Sequence, residues 1–96
     1  MPEERELTYG EKAVGLTFNP SGDMRVTELK TLYAKIIDIC DDLRRILCES
    51  GGATGDPDID RAVTSKIAEQ KRLLSIAITE AQGAQMWAVK AITFGL

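Results

Sequence analysis

Residues 26–47 read "VTELKTLYAKIIDICDDLRRIL", and their spacing decides the fold. Apolar side chains fall at Val26, Leu29, Tyr33, Ile36, Cys40, Leu43 and Leu47, in alternating steps of three and four. That period returns side chains to one face of an α-helix and not of a strand, so the stretch forms a helix with a heptad seam. A second line, Leu32, Ile39 and Ile46, repeats every seven residues beside the seam, and Ile37 adds width on the opposite flank. One neighbour cannot cover so much apolar surface.

Signals on either side bound the helix. Asp23, following Gly22, is the expected N-cap, and "ESGGATGDP" at 49–57 gathers glycines, a serine and a proline that end a helix, so the first long helix is read as 23–49. Asp56 and Pro57 restart the chain as cap and first helical residue, and Asp58 and Asp60 suit the positive end of the helix dipole. With no later proline, the second helix is expected at 57–93, about 55 Å long at 1.5 Å per residue. It carries Ile59, Val63, Ile67 and Leu74 early, then Ala77, Ala81, Ala84, Ala88 and Ala91, small residues that let another backbone come close.

The expected fold is therefore all-α: one domain, 1–96, an antiparallel helical hairpin preceded by a short N-terminal segment, 1–22, that includes a lid-like turn. The second arm overhangs the first, and Met86, Trp87, Val89 and Ile92 leave its end apolar on several faces. Together with a mass of only 10.5 kDa, this predicts a homo-oligomer.

Composition narrows the function. Hydrophobic residues at 44% and charged residues at 28% describe a folding chain, and a net charge of -3 disfavours duplex DNA and anionic membranes. No apolar run is long enough to span a bilayer and no leader pattern opens the sequence, so an intracellular, soluble protein is expected. Cys40 and Cys48 lie more than about 10 Å apart along one helix and are expected as buried free thiols. The chain has no histidine, which removes a Cys/His zinc site and the commonest general base. No metal, cofactor or catalytic residue is expected. Asp38, Asp41 and Asp42 beside Arg44 and Arg45 read as a solvated, charged face.

The front end offers binding chemistry instead. Tyr9 and Phe18 supply flat faces, Lys12 and Lys30 supply cations, and "NPSG" at 19–22 supplies backbone amides ahead of a helix. Stacking, cations and amides are what a nucleotide pocket requires. On the second helix Arg72 and Ser75 sit three apart, so a ring of copies could present guanidinium and hydroxyl groups to a ligand with repeated phosphates.

"FNPSGD" at 18–23, "VTELKTLYAKIID" at 26–38 and "SIAITEAQGAQMWAVKAIT" at 75–93 together resemble the phage anti-CBASS family 2 proteins, cyclic-oligonucleotide sponges related to the T4 Vs protein. The likeness covers nearly the whole chain except the loop around 51–57. It implies a helical hexamer, in the cytoplasm of an infected bacterium, that sequesters cyclic di- and trinucleotides such as cyclic GMP-AMP without cleaving them, so that the CBASS effector is not activated. It further implies cyclic dinucleotides held between protomers by Lys30 and stacked on an aromatic for which Tyr9 is the first candidate and Phe18 the second; Lys12 is added to that site by the reading of the residues above. Cyclic trinucleotides are implied at Arg72 and Ser75, with serine where the family carries threonine. "GLTFNPSGD" at 15–23 then acts as lid and helix-capping turn. Two other accounts compete: an adaptor that docks a protein partner on Met86, Trp87, Ile92 and Phe94, and a phosphodiesterase, for which the expected metal-and-histidine residues are missing.

Overall fold

The computed structural model describes residues 5–49 and 53–95, and every regular element among them is helical: α1 (Tyr9–Val14), α2 (Met24–Glu49) and α3 (Pro57–Ile92). The two long helices agree with the expected spans to within a residue at each end. Residues 1–4 of the expected N-terminal segment and 50–52 of the helix-ending loop lie outside the described residues.

Helix α1 was not anticipated, although its cap is written in the sequence. Thr8 and Glu11 form a capping box: the Glu11 N–H donates to Thr8 Oγ1 at 3.1 Å and the Thr8 N–H donates to Glu11 Oε1 at 2.9 Å. Arg5 then grips both Glu11 carboxylate oxygens at 2.7 Å. The guanidinium of Arg5 first, and the Thr8 N–H second, hold the Glu11 carboxyl down to about 2. At the other end Gly15, at φ 63°, closes the helix in the left-handed conformation that glycine adopts without strain.

Gly10 sets how α1 meets α2. A Cβ at this position would lie 2.1 Å from the Ala34 carbonyl oxygen, so only glycine allows the two backbones to cross here. Its N–H donates to Asp38 Oδ1 at 2.7 Å. Asp38 is thus a docking residue, not part of a solvated face. Arg44 departs from that expectation too: it pairs with Asp41 at 2.7 Å and donates to Ser75 Oγ of α3 at 3.1 Å.

The core is Val14, Ala34, Ile37, Ile78 and Ala81, flanked by Tyr33, Leu16 and Cys40. This corrects the expected seam. Ile37, read as a flank, is fully buried, whereas Ile36 and Leu43 of the seam stay exposed. The reason is steric: Gly10 and Ala34 fix the line of closest approach, and it runs through Val26, Lys30, Ala34 and Ile37. Leu32, Ile36, Ile39 and Leu43 consequently form a second stripe, in steps of four, three and four, that faces away from the core. The alanine line is likewise divided, with Ala81 buried and Ala77, Ala84 and Ala91 exposed. Both cysteines are free, but Cys48 is exposed and only Cys40 packs on the core.

α3 starts as expected, with Asp56 accepting the N–H groups of Asp58 and Ile59 ahead of Pro57. The Arg44–Ser75 contact fixes the antiparallel register, which brings the end of α2 level with about Gln70 and leaves the first turns of α3 projecting beyond it. The overhang is therefore at the Pro57 end, whereas the apolar Met86–Phe94 end lies beside the start of α2. The three helices make a thin body, with principal extents of 59 × 35 × 12 Å. The accessible surface is 7162 Å², against about 5,400 Å² for a compact monomer of this mass.

Replacing Gly10 by Ala is expected to cost about 1–3 kcal/mol, because the new methyl must push α1 off α2. Thermal unfolding reads the loss, and amide exchange localises it to α1. Glu11 has a folded value below its ordinary 4.5, so the stability it lends is present above that pH and is lost as pH falls towards about 2. An NMR titration should find its carboxyl midpoint near 2, and Arg5→Ala should raise that midpoint towards the ordinary carboxylate range.

Candidate functional site

Between α1 and α2 the chain makes a loop, residues 15–23, whose shape is held by its own polar groups. Asn19 Nδ2 donates to the Asp23 carbonyl at 2.8 Å and to Thr27 Oγ1 at 3.2 Å, while Ser21 Oγ donates to Asn19 Oδ1 at 2.7 Å and accepts the Asp23 N–H at 3.1 Å. The Asp23 carboxylate in turn accepts the Arg25 N–H at 2.8 Å, the capping role its position predicts.

A lysine pins this loop to α2. Lys30 is only 5% exposed, and its ammonium donates to the Gly15 carbonyl at 3.0 Å and the Phe18 carbonyl at 2.5 Å. The Phe18 ring lies over the same nitrogen, 5.6 Å from Nζ to the ring centre. Burial pushes the Lys30 pKa down. An ammonium has three N–H donors, and the carbonyls take two of them.

Beside this clasp opens a cleft of about 580 Å³ between α1, the loop and the last turns of α3, within the size range of small-molecule sites. Lys12, Lys30 and Lys90 bring three cations to it, Phe18 brings a ring that is 70% exposed, and Gln82 and Gln85 bring two carboxamides. Such a cleft can take an anion together with a flat ring. Phe18, Val89 and Thr93 also line a second groove, together with Asn19, Pro20, Ser21 and Val26.

Three of the four residues read as dinucleotide ligands, Lys12, Phe18 and Lys30, thus share one cleft. Tyr9 lies elsewhere in the protomer: it lines a groove with Asp38, Asp41, Asp42 and Arg45, and the Arg44 guanidinium lies 5.8 Å from its ring centre. Arg72 and Ser75 have separate neighbours. Arg72 is exposed and holds Glu69 in a two-pronged pair at 2.9 and 2.6 Å. The Ser75 hydroxyl accepts from Arg44 and donates to the Lys71 carbonyl at 2.9 Å. Among the described residues no three Cys, Asp or Glu side chains cluster as metal ligands, and no helix is long and apolar enough to cross a membrane.

Gln82, Gln85 and Lys90 escaped the sequence reading. Their signal was faint but present: Gln85 falls on the inward line of Leu74, Ile78 and Ala81, where an apolar residue is the rule.

Neither a curated protein nor a solved structure matches the chain. The family model described as Acb2/Tad1, hairpin domain, matches residues 11–93, from within α1 through the loop, both long helices and every cleft residue named above. The match agrees with the resemblance carried by "FNPSGD" and "AQMWAVKAIT", and the chain belongs to the Acb2/Tad1 hairpin-domain family.

Proposed function

We propose that this protein is a phage anti-defence sponge: it binds cyclic di- and trinucleotide messengers such as cyclic GMP-AMP, releases them uncleaved on denaturation, and so keeps CBASS effectors inactive in the host cytoplasm. The observation that carries the reading is the cleft, where three lysines and an exposed phenylalanine meet on a chain whose net charge is -3. Local cations of this kind overcome a weakly acidic whole because screening limits distant charges. Membership of the Acb2/Tad1 family supports the same class of ligand.

The working form is a homo-oligomer, a hexamer, with ligands at subunit boundaries. Three features support assembly: a thin body, an accessible surface well above that of a compact monomer, and the outward stripe Leu32, Ile36, Ile39 and Leu43. Assembly also gives Tyr9, apart from the cleft in its own protomer, a way to meet the ligand from a neighbour. For cyclic trinucleotides the reading rests on Arg72, whose guanidinium is exposed, with Ser75 already engaged by Arg44. The adaptor reading draws on Met86, Trp87 and Phe94, all exposed on the last turns of α3 and just beyond.

Mixing the protein with cyclic GMP-AMP and quantifying free ligand by chromatography, before and after denaturation, separates the accounts. Depletion with recovery of intact ligand is expected. Linear products would point to a phosphodiesterase, and no depletion across cyclic di- and trinucleotides would favour the adaptor. Lys12→Ala, at an exposed site, is expected to weaken binding on the order of 10-fold through loss of one charge-assisted contact. In sedimentation, Ile39→Glu is expected to shift the wild-type oligomer to monomer while helical circular dichroism persists, because it charges the outward stripe and leaves the core intact.

A further inference from the structure

The cleft contains a group that neither the loop clasp nor the core explains. Gln85 is only 5% exposed, yet among the described residues its carboxamide has no hydrogen-bond partner. No side-chain nitrogen or oxygen among those residues is both sealed and unpaired, so Oε1 and Nε2 keep the residual exposure of Gln85, and that exposure opens on the cleft. Gln85 is buried apart from that opening and its carboxamide has no protein partner, whereas a methionine or leucine of similar length would suit the same inward position at least as well. An occupant of the cleft that supplies a donor and an acceptor side by side would meet both atoms in place of water.

The surroundings limit what that occupant is. Lys12, Lys30 and Lys90 favour a phosphate-bearing ligand, and Phe18 offers a ring face in the same cleft. A primary carboxamide matches the N6–H donor and N7 acceptor of adenine in a two-bond pair, whereas the corresponding edge of guanine presents two acceptors, O6 and N7, and leaves Oε1 opposed by a lone pair. Building on the nucleotide-binding reading above, we propose that Gln85 is a specificity-determining residue: Oε1 accepts from adenine N6–H and Nε2 donates to adenine N7. Gln82, three residues earlier on the same wall, lies within the next turn of this edge-reading surface.

Calorimetric titration of the full chain with cyclic di-AMP, its 7-deaza-adenine analogue and cyclic di-GMP tests the assignment. The wild type is expected to bind cyclic di-AMP about 10-fold more tightly than the 7-deaza analogue, which lacks the N7 acceptor. Gln85→Met is expected to lose about 10- to 100-fold for cyclic di-AMP and to bind the two adenine ligands equally, with its thermal midpoint maintained or raised. Equal affinity of the wild type for cyclic di-AMP and the 7-deaza analogue overturns the proposal without any variant. So does a Gln85→Met protein that weakens all three ligands alike. Tight binding of cyclic di-GMP alone overturns the base assignment and leaves the sponge reading intact, while no binding of any ligand by the wild type overturns both.

Discussion

Two long helices and a short one, packed into a body only 12 Å in its smallest extent, enclose little core, and the rest of the structure follows from that constraint. A slab 12 Å thick between Cα extremes has an inside only along the lines where neighbouring helices touch. The buried apolar set is accordingly short: Val14, Ala34, Ile37, Ile78 and Ala81 in one cluster, and Val26 apart from it on α2. Many large apolar side chains, among them Leu32, Ile39, Met86 and Trp87, remain in contact with solvent. For the same reason any binding site within one copy is a groove between helices, open on at least one side.

Thinness also explains why polar groups occupy inward positions. Lys30, Asp38, Arg44 and Gln85 all lie at or near helix contacts, where a thicker protein would place leucine or isoleucine. Lys30 holds two loop carbonyls, Asp38 holds the Gly10 amide, and Arg44 ties Asp41 to Ser75. Apart from the local Arg44–Asp41 pair, these contacts join segments far apart in sequence, so directional bonds specify the register that a small apolar core defines only loosely. The same groups shape the cleft: by clasping the Gly15 and Phe18 carbonyls, Lys30 fixes where the Phe18 ring and the loop stand relative to α3.

The long helices were legible because period, caps and breakers agreed. Val26 through Leu47 repeats with helical spacing, and Asp56–Pro57 marks a start that the structure reproduces. Which apolar stripe turns inward was not legible, since Ile36 and Ile37 are adjacent and equally apolar. The choice is made by Gly10 and Ala34, whose missing side-chain bulk matters only once the helices are brought together. Part of the cleft was visible in Lys12, Phe18 and Lys30, because aromatics and cations beside a turn carry recognisable chemistry. The contributions of Gln85 and Lys90 come from a helix more than fifty residues away, through a register fixed by the Arg44–Ser75 contact. Arg72 and Ser75 share a helical face by spacing, yet one turns to Glu69 and the other to Arg44, a division set by tertiary neighbours.

The burial of Lys30 separates two electrostatic jobs. Mobile ions reach Lys12 and Lys90 freely, so their pull on an approaching anion weakens as ionic strength rises. Lys30, nine-tenths hidden and fixed by carbonyl dipoles, sits where counterions have little access. In the proposed anion-binding role, capture from solution is therefore expected to be salt-sensitive and governed by the outer pair, and residence to depend on the inner charge and to persist in a concentrated ionic medium.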